Sequence, residues 1–265
     1  MSVSEQSKIF FIGVTEFGLV CFDRLVQMKA NIVGCAYTED KIVMKKQPDG
    51  MKNVTYVNFG EVAREHQIEG VFFDKASPLR FEQRVKDLNP DLIIVAGWHY
   101  IIRSEVLDIP RLGTVGLHAS LLPRYRGGSP LVWQMIHGEK EAGVSLFYLE
   151  DGIDTGDVIG QERFSIEEAD TIQQALLKSQ QAALTLLDTY IPPLLNGAAP
   201  RIKQNESEAF YVRQRIPSDG EIDWNDTPQN IKNFIRAQTK PYPGAFTYIN
   251  NKKVVIWDAE VVEAL

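Results

Sequence analysis

The stretch KIFFIGVTEFGLVCFDRLVQMKANIVGCAYT, residues 8–38, decides the fold class. Residues 8–14 are an apolar run closed by Gly13, as in a parallel strand that is buried on both faces. Residues 16–29 repeat apolar side chains at helical spacing, and residues 30–38 are a second apolar run. A strand, a helix and a strand in this order predict a β-α-β unit and therefore an open parallel sheet.

The same pattern continues along the chain. Residues 92–97, 114–118, 143–149 and 157–166 have the apolar character of further strands. Helices are predicted at residues 59–68, 77–89 and 170–197, the last capped by Asp170 or Thr171. The polar residues 40–53, broken by proline and glycine, predict a surface loop. The apolar stripe of the long helix predicts core packing and consists of Ile172, Leu176, Ala183, Leu187 and Leu194.

A change in composition divides the chain into two predicted domains. After Gly197 the sequence becomes polar, so we expect a main domain over residues 1–200 and a short lobe over residues 201–265. The lobe is predicted to contain a helix at residues 227–238 and a hairpin that turns at Asn250 and Asn251. The exposed edges of this hairpin can form a homodimer contact, and they can equally well pack on the main domain.

Length, charge and cysteine content limit the classes of function. The 265 residues carry a formal net charge of -7, which argues against nucleic acid as the main partner. The N-terminus lacks a basic segment followed by a long apolar run, and no internal apolar run is long enough to span a membrane. Cys21 and Cys35 suit neither a disulfide framework nor a metal site. We therefore expect a cytoplasmic protein without a membrane segment.

A histidine and an aspartate are the candidate catalytic residues. His118 ends a predicted strand, where open α/β sheets bind ligands, and an ordinary histidine pKa of roughly 6.5 suits proton transfer near neutral pH. Asp154 lies on a glycine-rich turn after another predicted strand, and a carboxylate near a histidine orients the imidazole. Other interpretations of the two residues stay open. His118 can be a histidine that is hydrogen-bonded in a turn, and Asp154 can be a residue that favours the turn geometry. Asp154 can also belong to a calcium-binding loop, although the segment has fewer ligands than an EF-hand loop.

Two motifs resemble the formyltransferase superfamily that uses 10-formyltetrahydrofolate. The pattern His-x-Ser-Leu-Leu-Pro-x-x-Arg-Gly matches residues 118–127, and Gly-x-Asp-Thr-Gly-Asp matches residues 152–157. The similarity covers the chain from about residue 8 to its end, and residues 242–248, YPGAFTY, resemble the branch that formylates nucleotide-linked amino sugars. The resemblance implies an α/β fold with a doubly wound, mostly parallel sheet, a Rossmann-like core, and a small C-terminal α+β lobe.

The resemblance also implies a reaction and a folate site. A substrate amine attacks the formyl carbon, His118 takes the amine's proton and returns it to the leaving folate nitrogen, and Asp154 holds His118 and balances its charge. The implied site needs no metal and binds folate mostly through backbone groups of two segments. These are Ala96, Gly97, Trp98, His99 and Tyr100, and the turn that contains Asp151 and Gly152.

One position departs from the family pattern. The family usually has asparagine two residues before the catalytic histidine, and here that residue is Gly116. The asparagine would donate a hydrogen bond to the oxyanion, and loss of one such donor costs roughly 3 kcal/mol of barrier in other enzymes. We expect His99, at the adjacent strand end, or a bound water to supply this donor.

The resemblance allows three functions: a sugar N-formyltransferase, a methionyl-tRNA formyltransferase, and a non-catalytic member that binds folate or a sugar nucleotide. The tRNA enzymes have a longer C-terminal barrel, and the residues after Trp224 show no basic stripe for RNA. We therefore expect a nucleotide-linked amino sugar as the substrate, in surface-polysaccharide synthesis. Candidate residues for its pyrophosphate and base, each of which can equally be a plain surface residue, are Arg124, Arg126, Arg213 and Tyr211.

Overall fold

The computed structural model describes residues 7–44 and 47–263 of the chain. Its strands are β1 Lys8–Ile12, β2 Asn31–Tyr37, β3 Lys41–Met44, β4 Gln47–Lys52, β5 Glu69–Phe72, β6 Leu92–Ala96, β7 Thr114–His118, β8 Arg126–Gly127, β9 Glu141–Tyr148, β10 Val158–Ser165, β11 Tyr211–Val212, β12 Ala245–Ile249 and β13 Lys252–Ile256. Its α-helices are α1 Glu16–Gln27, α2 Phe59–Glu65, α3 Pro78–Leu88, α4 Ser104–Leu107, α5 Pro130–Ile136, α6 Ile172–Leu195 and α7 Pro228–Arg236.

The central sheet has the order β10-β9-β7-β6-β1-β2-β5 in the described part of the chain. From β7 to β5 all neighbours are parallel, whereas β9 is antiparallel to both β7 and β10. All five residues of β6 are buried, which explains its uninterrupted apolar sequence. The mostly parallel α/β fold predicted from the sequence is confirmed.

Helices cover both faces of this sheet, as in a doubly wound fold. On β1, Phe11 faces a core that includes residues of α1, α2 and α6. Its neighbour Phe10 faces the opposite core, with residues of α3 and α4. Because successive residues of a strand point to opposite faces, the apolar run at residues 8–14 supplies both cores. The carboxyl edge of the sheet is thereby left as the exposed end at which a ligand can bind.

The long helix α6 begins where the sequence predicted. Thr171 is its N-cap, and the Thr171 backbone N–H donates to Gln174 Oε1 at 2.9 Å. Asp170 instead accepts a hydrogen bond from Lys178 Nζ at 2.6 Å. Of the predicted apolar stripe, Leu176 is only partly buried, and the other four residues are buried. The prediction that this stripe packs into the core is therefore confirmed.

The prediction of a loop at residues 40–53 is wrong. This segment contains the antiparallel strands β3 and β4, with Lys41 paired with Lys52 and Ile42 paired with Met51. The two strands form a separate sheet that lies outside the main sheet, and β4, QPDGMK, is mostly polar and contains a proline and a glycine, so the segment has the composition of a loop. Gly50 has a φ of +77°, a conformation that glycine adopts without strain. Residues 45 and 46 of the predicted loop lie outside the described residues.

The C-terminal part has a small core of its own. Ile222, Ile235 and Ala245 are buried there together. Strands β12 and β13 form the predicted hairpin, and both Asn250 and Asn251 have positive φ angles, of 50° and 61°. Two such residues suit a type I′ turn, which matches the twist of the flanking strands. The turn predicted at these two asparagines is confirmed.

Within the described ranges, no helix combines the length and the apolar character that crossing a membrane requires.

Candidate active site

His118 and Asp154 meet at the carboxyl edge of the sheet. His118 is the last residue of β7, and Asp154 lies on the turn that follows β9. The antiparallel pairing sets Tyr148, the end of β9, beside Val115 near the start of β7, so the turn after β9 has to carry Asp154 back to His118. His118 Nδ1 lies 3.5 Å from Asp154 Oδ2. The His118 side chain is 10% exposed and the Asp154 side chain 22%. The pair is therefore sheltered but open on one side.

The hydrogen bond made by Nε2, the second ring nitrogen of His118, decides which nitrogen of the neutral ring carries the hydrogen. His118 Nε2 lies 2.8 Å from the backbone carbonyl oxygen of Tyr125. A carbonyl oxygen only accepts, so Nε2 carries the hydrogen and Nδ1 of the neutral ring presents its lone pair beside Asp154. When Nδ1 gains a proton, the imidazolium lies between the Tyr125 carbonyl and the Asp154 carboxylate.

Tyr125 is held firmly in the conformation that serves His118. Its φ angle is +59°, a left-handed conformation uncommon for a residue other than glycine. The Tyr125 hydroxyl donates to Glu139 Oε1 at 2.8 Å and lies 3.1 Å from His137 Nδ1. Burial, followed by the contact with Glu139, raises the pKa of Tyr125. The buried ring thus anchors the residue whose carbonyl orients the imidazole.

The turn around Asp154 is fixed by hydrogen bonds from two sides. Asp154 Oδ2 accepts from the Gly127 backbone N–H at 2.7 Å. Gln204 Nε2 donates to the carbonyl oxygens of Asp154 at 2.9 Å and Gly156 at 2.7 Å. Asp154 itself has a φ of +56°. Gly127 belongs to the first sequence motif and Asp154 to the second, so this hydrogen bond ties the two motifs together.

The segment from Ala96 to Tyr100 follows β6 at the same edge. Ala96 pairs with Leu117, the residue just before His118. Gly97 has a φ of +63°, and its carbonyl accepts from the Val14 backbone N–H at 3.2 Å. The Trp98 Nε1 atom is enclosed, yet no acceptor for it exists among the residues that the structure describes.

The rest of this segment contacts the β3–β4 hairpin. The Tyr100 hydroxyl donates to the Lys41 carbonyl oxygen at 3.2 Å. His99 Nε2 lies 3.0 Å from Nδ2 of Asn53, which directly follows β4. Burial lowers the pKa of His99 to about 4, so its ring is neutral near pH 7. Asn53 does not stand out in the sequence, because its contact with His99 joins residues 46 positions apart.

The turn expected to contact folate carries the other predicted residues. Asp151 is exposed, and Gly152 has a φ of +155°. The Thr155 Oγ1 atom is enclosed and, within residues 7–44 and 47–263, has no hydrogen-bond partner. Each of the two segments expected to bind folate thus contains one enclosed polar atom without a partner.

The four candidate substrate residues differ in their surroundings. Arg126 is fully buried, and its guanidinium contacts Glu206 at 2.6 Å and Gln204 Oε1 at 2.8 Å. It also donates to the Tyr211 hydroxyl at 3.0 Å. A phosphate could therefore reach Arg126 only by displacing these groups. Tyr211 is exposed, and Arg124 is exposed and paired with Glu139 at 2.7 Å.

Arg213 contacts a different set of residues from the other three candidates. It is exposed and ion-paired with Asp219, and its guanidinium lies 5.7 Å from the centre of the Trp133 ring. Arg215 stacks on the same ring at 4.8 Å, and burial lowers its pKa to about 10. Trp133 and the two arginines form a second group, which sequence reasoning identified only through Arg213.

Packing explains the glycine at position 116. A Cβ atom on Gly116 would overlap the side chain of Leu149 and come within 3.2 Å of the Phe147 ring. Leu149 packs with the buried cluster of Leu122, Phe147 and Val158. The space that an asparagine side chain would need is therefore filled by apolar groups.

Two family profiles match the chain. The family described as Formyl transferase matches residues 38–188, and the one described as Formyl transferase, C-terminal domain, matches residues 215–265. The bifunctional polymyxin resistance protein ArnA of Wigglesworthia glossinidia brevipalpis is 38% identical over 254 residues, which are 96% of this chain and 38% of that protein. The chain thus spans well under half of that relative.

A second relative is matched over most of its length. The methionyl-tRNA formyltransferase of Caldanaerobacter subterraneus subsp. tengcongensis is 34% identical over 258 residues, 97% of this chain and 81% of that protein. Among solved structures, a 4-N formyltransferase from Francisella tularensis has a TM-score of 0.73 at 21% identity, over 97% of this chain and 100% of that chain.

Another solved structure was determined with ligands. The N-formyltransferase from Helicobacter canadensis, in complex with folinic acid and dTDP-3-aminofucose, has a TM-score of 0.72 at 18% identity. The match covers 94% of this chain and 87% of that one. At such identities the two structural matches establish a shared fold.

Proposed function

The chain belongs to the formyl transferase family, and on this premise we propose that it moves a formyl group from 10-formyltetrahydrofolate to the amine of a nucleotide-linked amino sugar. The observation that carries the proposal is the approach of His118 Nδ1 to Asp154 Oδ2, at 3.5 Å, on the ligand-binding edge of the sheet. A sheltered imidazole beside a carboxylate is the arrangement that amine deprotonation requires.

Proton transfer follows from the position of the hydrogen on His118. Because Nε2 already donates to Tyr125, Nδ1 takes the proton of the attacking amine. The separation of 3.5 Å from Asp154 is longer than a good hydrogen bond, so the Nδ1 lone pair is available to a substrate N–H. Asp154 stabilises the imidazolium, and His118 returns the proton to the leaving folate nitrogen. His118 is neutral again when the transfer is complete.

Two segments would hold the folate. 10-Formyltetrahydrofolate supplies the one-carbon unit, and its flat heterocycle offers several donors and acceptors to backbone groups. The enclosed, unpartnered atoms Trp98 Nε1 and Thr155 Oγ1 support a polar ligand between the residue 96–100 segment and the turn with Asp151 and Gly152. The folate complex of the Helicobacter canadensis enzyme, which has the same fold, supports this choice of co-substrate.

Charge supports a sugar nucleotide over RNA as the amine substrate. Residues 201–265 contain nine lysines and arginines and nine aspartates and glutamates, so this part of the chain has no net cationic charge to attract phosphates. The exposed Tyr211 and the Trp133 ring with its two arginines offer a base-stacking surface and cations for a pyrophosphate. Methionyl-tRNA is the second candidate, favoured by the 34% identity to a tRNA enzyme.

A side-by-side comparison of the two classes of amine tests the proposal. Purified protein is incubated with 10-formyltetrahydrofolate and either a panel of nucleotide-linked amino sugars or methionyl-tRNA, and free tetrahydrofolate and the formylated product are measured. Product with an amino-sugar nucleotide and none with methionyl-tRNA is the expected result. Formylation of methionyl-tRNA alone would replace the proposed substrate, and no transfer to either would support a non-catalytic member of the family.

A further inference from the structure

Asn53 is a buried polar residue that joins the β3–β4 hairpin to the carboxyl edge of the main sheet. It is 7% exposed, and its side chain makes hydrogen bonds in two directions. On one side it contacts the His99 ring, and on the other it contacts Thr55. These contacts decide how both the amide and the imidazole are oriented.

The amide of Asn53 can adopt only one orientation. Its Oδ1 atom lies 3.1 Å from the Thr55 backbone N–H nitrogen, which can only donate, and 3.1 Å from the Thr55 hydroxyl. Oδ1 is therefore the acceptor, and the Nδ2 group faces His99 as a donor. Since Nδ2 lies 3.0 Å from His99 Nε2, that ring nitrogen must offer its lone pair. The hydrogen of the neutral His99 ring is then on Nδ1.

This Nδ1–H group is available to a ligand. Over residues 7–44 and 47–263, no protein group accepts a hydrogen bond from it, and the nitrogen is not among the enclosed polar atoms. His99 follows Ala96 by three residues, while His118 directly follows Leu117, the partner of Ala96 on β7. His118 thus ends β7, and His99 lies three residues beyond the end of the neighbouring strand β6.

The neighbouring position lacks the usual donor. The apolar Leu149 side chain fills the space beside Gly116, so no side chain at position 116 donates to the formyl oxygen. A neutral imidazole whose hydrogen is fixed on one nitrogen can replace this donor. It donates a hydrogen bond to the formyl oxygen, and unlike an imidazolium it carries no second proton that the substrate amine could take.

We propose that Asn53 is a positioning residue, which holds His99 in its Nδ1–H tautomer so that His99 donates a hydrogen bond to the formyl oxygen as that oxygen gains negative charge. The inference rests on the proposed function, because the formyl oxygen is the acceptor. Asn53 acts only through His99 and contacts no reacting atom.

The test combines the tautomer of His99 with kinetics. In the wild-type protein, the ¹⁵N and ¹H NMR correlations of the ring assign the hydrogen to Nδ1 near neutral pH. In Asn53→Asp, the carboxylate still accepts from Thr55 but needs a hydrogen on His99 Nε2, so the tautomer switches. At a pH at which the spectra show a neutral ring, we expect kcat to fall about a hundredfold with little change in the KM for 10-formyltetrahydrofolate.

Asn58→Asp is the matched control. Asn58 Oδ1 accepts from the Gly60 backbone N–H at 3.0 Å and caps α2, a bond that aspartate keeps, and Asn58 has no contact with an imidazole among the described residues. This variant should leave both the His99 tautomer and kcat unchanged. Thermal unfolding of each variant verifies that it is folded, and the wild-type spectrum decides the tautomer even if Asn53→Asp does not fold.

Three results would overturn the inference. These are an Nε2–H or doubly protonated His99 in the wild type near neutral pH, a tautomer unchanged in Asn53→Asp, and a switched tautomer with unchanged kcat. Each of them leaves the proposed function intact if the wild-type enzyme transfers formyl groups. Absence of transfer by the wild type would instead overturn the proposed function, and the donor role with it.

Discussion

The side chain of Leu149 occupies the space beside Gly116 in which any larger residue would have its Cβ atom. Leu149 follows β9, whose residue Phe147 pairs with Gly116 on β7. An asparagine at this position, the family's usual residue, would therefore require the end of the Leu149 side chain to move. The absence of the asparagine therefore depends on the packing of Leu149 as well as on the glycine at position 116.

Gly116→Asn should therefore destabilise the protein by about 1–3 kcal/mol, because overpacking a core forces side chains and backbone to shift. Leu149→Ala should remove most of that cost in the double variant. The measurement is a double-mutant cycle in urea, comparing the free energy of unfolding of the two single variants and the double variant. If the free-energy changes of the two single variants simply add in the double variant, the side chains at positions 116 and 149 do not compete for the same space.

Asp154→Asn tests the charge of the carboxylate separately from the geometry of its turn. The asparagine Oδ1 atom can still accept the hydrogen bond that Gly127 donates at 2.7 Å, so the turn should persist. Without the negative charge beside His118, we expect kcat to fall roughly a hundredfold or more. Glu150→Gln, at an exposed carboxylate just before the same turn, is the control and should keep its rate. Unchanged turnover of Asp154→Asn would remove the aspartate from the mechanism.

Arg126→Gln separates a structural role from phosphate binding. The buried guanidinium joins Gln204 and the exposed Glu206 to the first motif, so its loss removes several charge-assisted hydrogen bonds and should cost about 2 kcal/mol of stability. Arg124→Gln, at an exposed surface pair, should cost about 0.5 kcal/mol or less. Thermal and urea unfolding give both values. A stable Arg126→Gln protein with only a raised KM for the sugar nucleotide would instead support phosphate binding.

His99 should make stability depend on pH. Burial lowers its pKa to about 4, against roughly 6.5 in an unfolded chain, so between these values the unfolded chain binds the proton more readily. The free energy of unfolding should therefore decrease as the pH falls from about 6.5 to about 4, by up to about 3 kcal/mol from this residue. Urea denaturation over this pH range should show a flatter dependence for His99→Gln. Identical slopes in variant and wild type would contradict a buried neutral imidazole.

Parts of the fold that are buried on both faces could be predicted from the sequence. The strands β1 and β6 are nearly all apolar because helices cover both of their faces. The β3–β4 hairpin could not be predicted in this way, because its two strands form a sheet of their own and β4 is mostly polar, with a proline and a glycine. Pairing of strands with few buried side chains depends on local backbone geometry that residue type alone does not reveal.

The site shows the same division. His118 and Asp154 carry recognisable chemistry and lie in recognisable motifs, so their approach could be predicted. The contact of Asn53 with His99 joins residues 46 positions apart, and the pair of Arg126 with Glu206 joins residues 80 positions apart. An arginine is seldom fully buried unless it is paired, and its partner lies far along the chain in an unremarkable polar segment. Only the folded chain identifies these partners.

We propose that His118 accepts the amine proton in formyl transfer, and every other role at the site depends on this one. The most direct measurement is a single turnover of His118→Asn with 10-formyltetrahydrofolate bearing a labelled formyl group and the amino-sugar nucleotide that the wild type accepts, with folate binding measured separately. We expect the variant to bind the folate almost as well as the wild type and to transfer no measurable label. Label transfer at the wild-type rate would contradict the account.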